Sequence, residues 1–195
     1  MDIRIDHNIV VVRTAPVGGT PVYQARRAVV FIDGPEPFES VCRELAQEPV
    51  VAMDVETTLD THALCLIQLG TPSRVVIIDP LALPTLAPLG GLLEGESTVK
   101  IVHNAAFERG VFARLGYTIA NVFDTLVASR EARGRDALGG HSLLAVCERE
   151  LGFTLDKSVQ TSTWARRPLS KEQLAYAAVD VEVLFPLYEK LRLPP

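Results

Sequence analysis

The chain has 195 residues, 48% of them hydrophobic and 22% charged, with a formal net charge of −5 and a pI near 5.4. That hydrophobic content supplies a core for one domain and excludes wholesale disorder. The acidic balance excludes a protein that grips nucleic acid through a broad basic surface, but not one that meets phosphates through cations gathered by carboxylates.

Cys42, Cys65 and Cys147 are odd in number and far apart, with no C-x-x-C pair, so neither a disulfide framework nor a zinc site is expected. Buried, reduced thiols are. The N-terminus lacks the basic stretch and long apolar run of a signal peptide. No apolar run approaches the roughly 20 residues that span a bilayer. A soluble, cytoplasmic protein with no membrane partner is expected.

In chain order, residues 8–13 and 28–32 read as short strands around the turn-rich Gly18-Gly19-Thr20-Pro21. They suggest an edge hairpin, making residues 1–34 an N-terminal extension ahead of a main domain at 35–195. Helical spacing over 35–46 aligns Phe38, Val41, Cys42 and Leu45. Three closely spaced apolar runs, 50–56, 63–70 and 74–80, suit an antiparallel meander. A helix at about 85–93, a strand at 99–103, and helices at 104–115, 124–133, 141–152 and 170–192 follow. The segments 134–140 and 153–169 read as loops. The order predicts an α/β fold with one mixed β-sheet flanked by helices.

Carboxylates recur at the ends of these elements. Asp54 and Glu56, two apart on a strand, project from one face at the edge of an apolar run. Directly after the 99–103 strand, Asn104 and Glu108 share a helical face, while Phe107, Val111, Phe112 and Leu115 make the expected core stripe. Tyr176 and Asp180 share another helical face, with Leu174, Ala178, Val181 and Leu184 packed. Several carboxylates brought together repel one another unless divalent cations join them. Hard oxygen ligands favour Mg²⁺ or Mn²⁺, and a pair of such ions suits phosphodiester hydrolysis. Spacing alone does not establish that the three segments converge.

Together these motifs resemble the DEDD 3′→5′ exonuclease superfamily in its tyrosine (DEDDy) form, and within it the ribonuclease D-like branch, over residues 49–192. D-x-E falls on Asp54 and Glu56, Y-x-x-x-D on Tyr176 and Asp180, and residues 155–170 resemble the stretch preceding that last motif. The resemblance implies a ribonuclease H-like fold, a ligand set of Asp54, Glu56, Glu108 and Asp180 for two Mg²⁺ or Mn²⁺ ions, and Tyr176 orienting a water. It implies single-stranded nucleic acid 3′ ends as the partner, RNA ahead of DNA, cleaved to nucleoside 5′-monophosphates. Glu108 stands where the family has aspartate; Asp124 is the alternative ligand, with helix capping its other reading. Thr57, His103, Asn104, Lys157, Trp164 and Arg167 are candidate substrate contacts, with Arg166 and an Arg130, Arg133 and Arg135 cluster nearby. The competing expectations are a binding module of the same fold with weakened chemistry, and a nuclease for very short oligonucleotides.

Overall fold

Along the strand that carries D-x-E, Val51, Met53 and Val55 alternate with Ala52, Asp54 and Glu56, so the two sets meet different layers of helices. The computed structural model describes residues 19–192. Strands β1 (Ala28–Ile32), β2 (Val50–Thr57), β3 (Leu64–Gly70), β4 (Arg74–Ile78), β5 (Val99–Val102) and β6 (Val122–Asp124) form a sheet in the order β1-β4-β3-β2-β5-β6. β2, β3 and β4 are the expected antiparallel meander. β5 runs parallel to β2, and β6 parallel to β5, which makes the sheet mixed.

Helices α1 (Pro35–Leu45), α2 (Gly90–Glu94) and α3 (Ala105–Arg114) cover one face, packing Phe38, Leu45, Leu92 and Phe112 with Val51, Met53 and Val55. On the other face, α6 (Lys171–Glu182) lays Ala177 and Val181 with Ala52, Leu66 and Ile77. Each such fully buried large side chain stabilises the fold by roughly 1.5–3 kcal/mol. A third cluster, including Val146, Cys147, Val183 and Leu187, joins α5 (Leu143–Leu151) to α7 (Leu184–Leu191), with α4 (Thr125–Arg133) beside them. Cys42, Cys65 and Cys147 are free and buried.

The structure differs from the sequence expectation in four places. The helix expected at 85–93 is a 3₁₀ turn at Ala87–Leu89 followed by the short α2, because Pro88 inside that span has no N–H to donate and biases Ala87 away from the α conformation. Val122–Asp124 adds the strand β6, too short to carry a period. The long helix expected at 170–192 breaks at Val183. Pro186 has no N–H for the Glu182 carbonyl, which instead accepts from Arg27 Nη1 at 3.4 Å. Finally, β1 is an edge strand, but it pairs in parallel with β4 along Ala28–Ile32; the expected hairpin partner at 8–13 lies outside the described residues.

The same Glu182 ties residues 23–27 to the domain. Its carboxylate, 0% exposed, accepts from the backbone N–H of Arg26 at 2.9 Å and of Arg27 at 2.9 Å, and from the Tyr23 hydroxyl at 3.1 Å. Glu182→Ala strands these donors, and a loss of roughly 3–5 kcal/mol is expected. Urea denaturation read by circular dichroism checks it; a loss under about 1 kcal/mol would refute the anchor.

Candidate active site

β2 runs on to Thr57, past the end of β5 at Val102, and this overhang carries Asp54 and Glu56 beyond the carboxyl end of β5, where α/β sheets commonly open a crevice. Asp54 and Glu56 project from β2 towards α6. The capping box at the start of α6, in which Ser170 Oγ accepts from the Gln173 N–H and Gln173 Oε1 from the Ser170 N–H, fixes the helix start. That register brings Tyr176 and Asp180 over the strand. Asp54, Glu56 and Asp180 each offer a carboxylate oxygen within 4.8 Å of the others. Asn104, left-handed at φ 72°, turns the chain sharply from β5 into α3. One turn on, Glu108 is 2% exposed, and its Oε2 has no hydrogen-bond partner.

Burial and mutual repulsion dominate the electrostatics. Burial, then the charge of Asp180, pushes the Asp54 carboxyl up to about 7. Burial, then the charges of Asp54 and Asp180, takes Glu56 up to about 10. Burial and the charge of Asp54 take Glu108 up to about 9. Asp180 is also raised, by burial, against the opposing charge of Lys157. Lys157 Nζ donates to Asp180 Oδ1 at 3.1 Å and to Tyr176 Oη at 3.2 Å. One ammonium, that of Lys157, thus lies against a cluster of carboxyls that repel one another when ionised. Converging carboxylates with an unpaired buried oxygen fit a hard, oxygen-preferring divalent metal.

Around this floor lies an open cleft of about 560 Å³ lined by Asp54, Glu56, Glu108, Tyr176 and Asp180 together with Thr57, His103, Asn104 and Lys157. A register shift between Glu56 and Thr57 marks a bulge at the rim. His103 is fixed by Thr125 Oγ1 at 2.8 Å from Nδ1 and by the His141 carbonyl at 3.0 Å from Nε2. Burial lowers its imidazole to about 4, so the ring is neutral and Nε2–H donates to the carbonyl.

Three sequence expectations find different surroundings. Asp124 does not line the cleft: it caps α4, accepting from the N–H of Leu126 at 2.9 Å, and holds the start of α3 through the N–H of Ala105 at 2.9 Å. Trp164 is 2% exposed, its indole N–H donating to the Gln160 carbonyl and its ring packed at 5.9 Å from that of Tyr176. Arg167 spends its guanidinium on Asp79, the Cys65 carbonyl at 2.8 Å and the Trp164 carbonyl at 2.7 Å. Both sit behind the cleft as framework. Arg130, Arg133, Arg135 and Arg166 do not line it either, and Arg133 pairs with Glu150 at 2.8 Å.

Sequence reasoning missed the apolar rim. Leu59 is 72% exposed, and Phe107, expected in the core stripe, is 36% exposed against His62. Both line the cleft, as do Leu126, Leu143 and Leu144, with Gln160 and Thr161 as further polar groups. Leu115, from the same stripe, is also exposed, because α3 ends one residue earlier. A lone leucine in a polar segment three residues beyond D-x-E was the available signal for Leu59; nothing in the spacing marked Gln160 or Thr161.

The profile of a family described as 3′-5′ exonuclease matches residues 29–194. Ribonuclease D of Acidiphilium cryptum (strain JF-5) is 37% identical over 168 residues, covering 84% of this chain and 42% of that protein. The crystal structure of Escherichia coli RNase D, described as an exoribonuclease involved in structured RNA processing, aligns with a TM-score of 0.75 at 31% identity, covering 83% of this chain and 44% of that one. Brucella melitensis NrnC bound to pGG aligns with a TM-score of 0.67 at 32% identity, covering 76% and 74% respectively. The chain therefore spans about two-fifths of the length of the ribonuclease D relatives it matches. Among the described residues, no helix is long and apolar enough to cross a membrane.

Proposed function

Because the chain belongs to the 3′-5′ exonuclease family, we propose that it hydrolyses single-stranded nucleic acid from the 3′ end, releasing nucleoside 5′-monophosphates. The observation that carries this reading is the convergence of Asp54, Glu56 and Asp180 within 4.8 Å beside the unpaired oxygen of Glu108. Asp54, Glu56, Asp180 and Glu108 are the metal-holding residues. Two Mg²⁺ or Mn²⁺ ions, when bound, would promote ionisation of the attacking water, orient the phosphate and offset charge on the departing 3′ oxygen.

The remaining work falls to the chain's own groups. The Tyr176 hydroxyl, held near Asp180, orients the attacking water. Lys157, which donates to Asp180 and Tyr176, lines the cleft and is the ammonium that would meet the phosphate. Thr57, His103 and Asn104 meet the terminal nucleotide, whose base packs on the Leu59 and Phe107 rim. Catalysis is assigned to residues 35–195, with 1–34 as an extension whose β1 completes the sheet edge. RNA is the favoured substrate, supported by the ribonuclease D relatives, and the likeness to NrnC bound to pGG supports including dinucleotides among the substrates tested.

Digestion of 3′- and 5′-labelled RNA and DNA, from dinucleotides to long strands, with Mg²⁺, Mn²⁺ or EDTA tests this. Stepwise, metal-dependent shortening from the 3′ end is expected, and binding without cleavage in every metal would overturn it. Tyr176→Phe removes the hydroxyl alone, so a fall of about 10–100-fold in kcat is expected, with KM little changed. A loss as complete as that of a carboxylate variant would mean that the phenol does more than orient water.

A further inference from the structure

We propose that Gln68 is a positioning residue for Asp54, its side-chain amide supplying a hydrogen-bond donor to the carboxylate when cations occupy the site. The inference rests on the metal-site reading above. In the antiparallel pairing of β2 and β3, Gln68 lies directly opposite Asp54. Opposed residues share a face, with Cβ atoms about 4.5–5.5 Å apart. That face is the one beneath α6: Leu66, two residues before, packs with Ala177 and Val181, and a Cβ on Gly70, two residues after, would meet Val181 at 3.3 Å.

Gln68 is 0% exposed, and neither Nε2 nor Oε1 has a hydrogen-bond partner. An unpaired amide in a layer otherwise built of Ala52, Leu66 and Ile77 costs stability that a leucine there would not. The residue directly opposite it on β2 is Asp54, with Glu56 diagonal on the same face. Asp54 Oδ1 accepts from the Val55 N–H at 2.9 Å. A carboxylate held ionised among other carboxylates calls for a further donor, and the amide across the ladder is within a side chain's reach. Such supports fix a ligand's orientation, and their loss costs typically 10–100-fold in metal affinity or activity.

The test compares Gln68→Met, which fills the same space without the amide, with Gln68→Asn, which keeps the amide on a shorter stem. In EDTA, Gln68→Met should raise the melting temperature by roughly 2–4 °C. By calorimetric titration, it should bind Mn²⁺ about tenfold or more weakly, and kcat should fall by a similar factor with KM changed less than about twofold. Gln68→Asn should retain more of the Mn²⁺ affinity despite being the less stable protein. Gln68→Leu replaces Gln68→Met in the same comparison if the thioether does not fold. Wild-type Mn²⁺ affinity in a folded apolar variant would overturn the proposal while leaving the metal site intact. Absence of Mn²⁺ binding by the wild type would overturn both.

Discussion

Asp54→Ala is expected to lower exonuclease turnover by at least about a thousandfold while the protein stays folded. Asp54 shares the cluster with Glu56 and Asp180, and its charge also raises Glu108, so on the proposed reading its removal takes a ligand from the whole set. The cost to the metal-free fold should be small, because Asp54 is one of several buried carboxyls raised by their mutual charge. Its removal relieves repulsion and strands the Val55 N–H. Single-turnover cleavage of a 3′-labelled strand and a thermal melt in EDTA measure both quantities. Glu108→Ala and Asp124→Ala sharpen the assignment. Glu108→Ala should weaken Mn²⁺ binding with little cost to the metal-free melt. Asp124→Ala should lose about 1–2 kcal/mol of stability with the cap of α4, and leave Mn²⁺ affinity near wild type. A turnover of Asp54→Ala within tenfold of wild type would remove the metal-site reading.

Much of this arrangement was legible because it rests on short periods. The meander showed as three apolar runs with links too short for crossovers, and the i, i+4 pair of Tyr176 and Asp180 is a property of any helix, so both could be read from the chain. What resisted reading was set by tertiary partners. The break at Val183 depends on Pro186 freeing the Glu182 carbonyl, to which Arg27 Nη1, 155 residues away in sequence, donates. Trp164 and Arg167 looked like substrate contacts because an aromatic ring and a cation in a loop suit nucleic acid; the fold instead encloses them against Gln160, Asp79 and Cys65. Phe107 shows the converse error. Its place in the apolar stripe of α3 suggested core, yet in the first turn Ala105 takes the core position while Phe107 and Glu108 line the cleft. Resemblance linked the three acidic segments before geometry did, and it carried no information on Gln68, whose relation to Asp54 exists only in the strand register.

Stability of the metal-free protein should fall as pH rises from 5 to 9, and added Mg²⁺ should reverse much of that fall. Asp54, Glu56 and Glu108 are raised in the fold to about 7, 10 and 9, whereas the unfolded chain titrates near the ordinary carboxylate values. Below about pH 4 both states hold these protons, and the stabilisation they represent is fully present. Above it the unfolded chain releases them while the fold retains them, so stability is lost until pH passes the folded values. Cations binding the fold displace those protons, an exchange that becomes easier as pH rises. With free Mg²⁺ at about a thousand times its Kd, the gain is about 4 kcal/mol, or roughly 10 °C in melting temperature for a domain of this size. Calorimetric melts at pH 5, 7 and 9, in EDTA and in Mg²⁺, test both signs. The Mg²⁺ shift should be smallest at pH 5 and grow with pH. A metal-free melting temperature that climbs across this range, or a Mg²⁺ shift equal at all three pH values, would mean that the carboxylates are not the proton-bearing cluster the geometry describes.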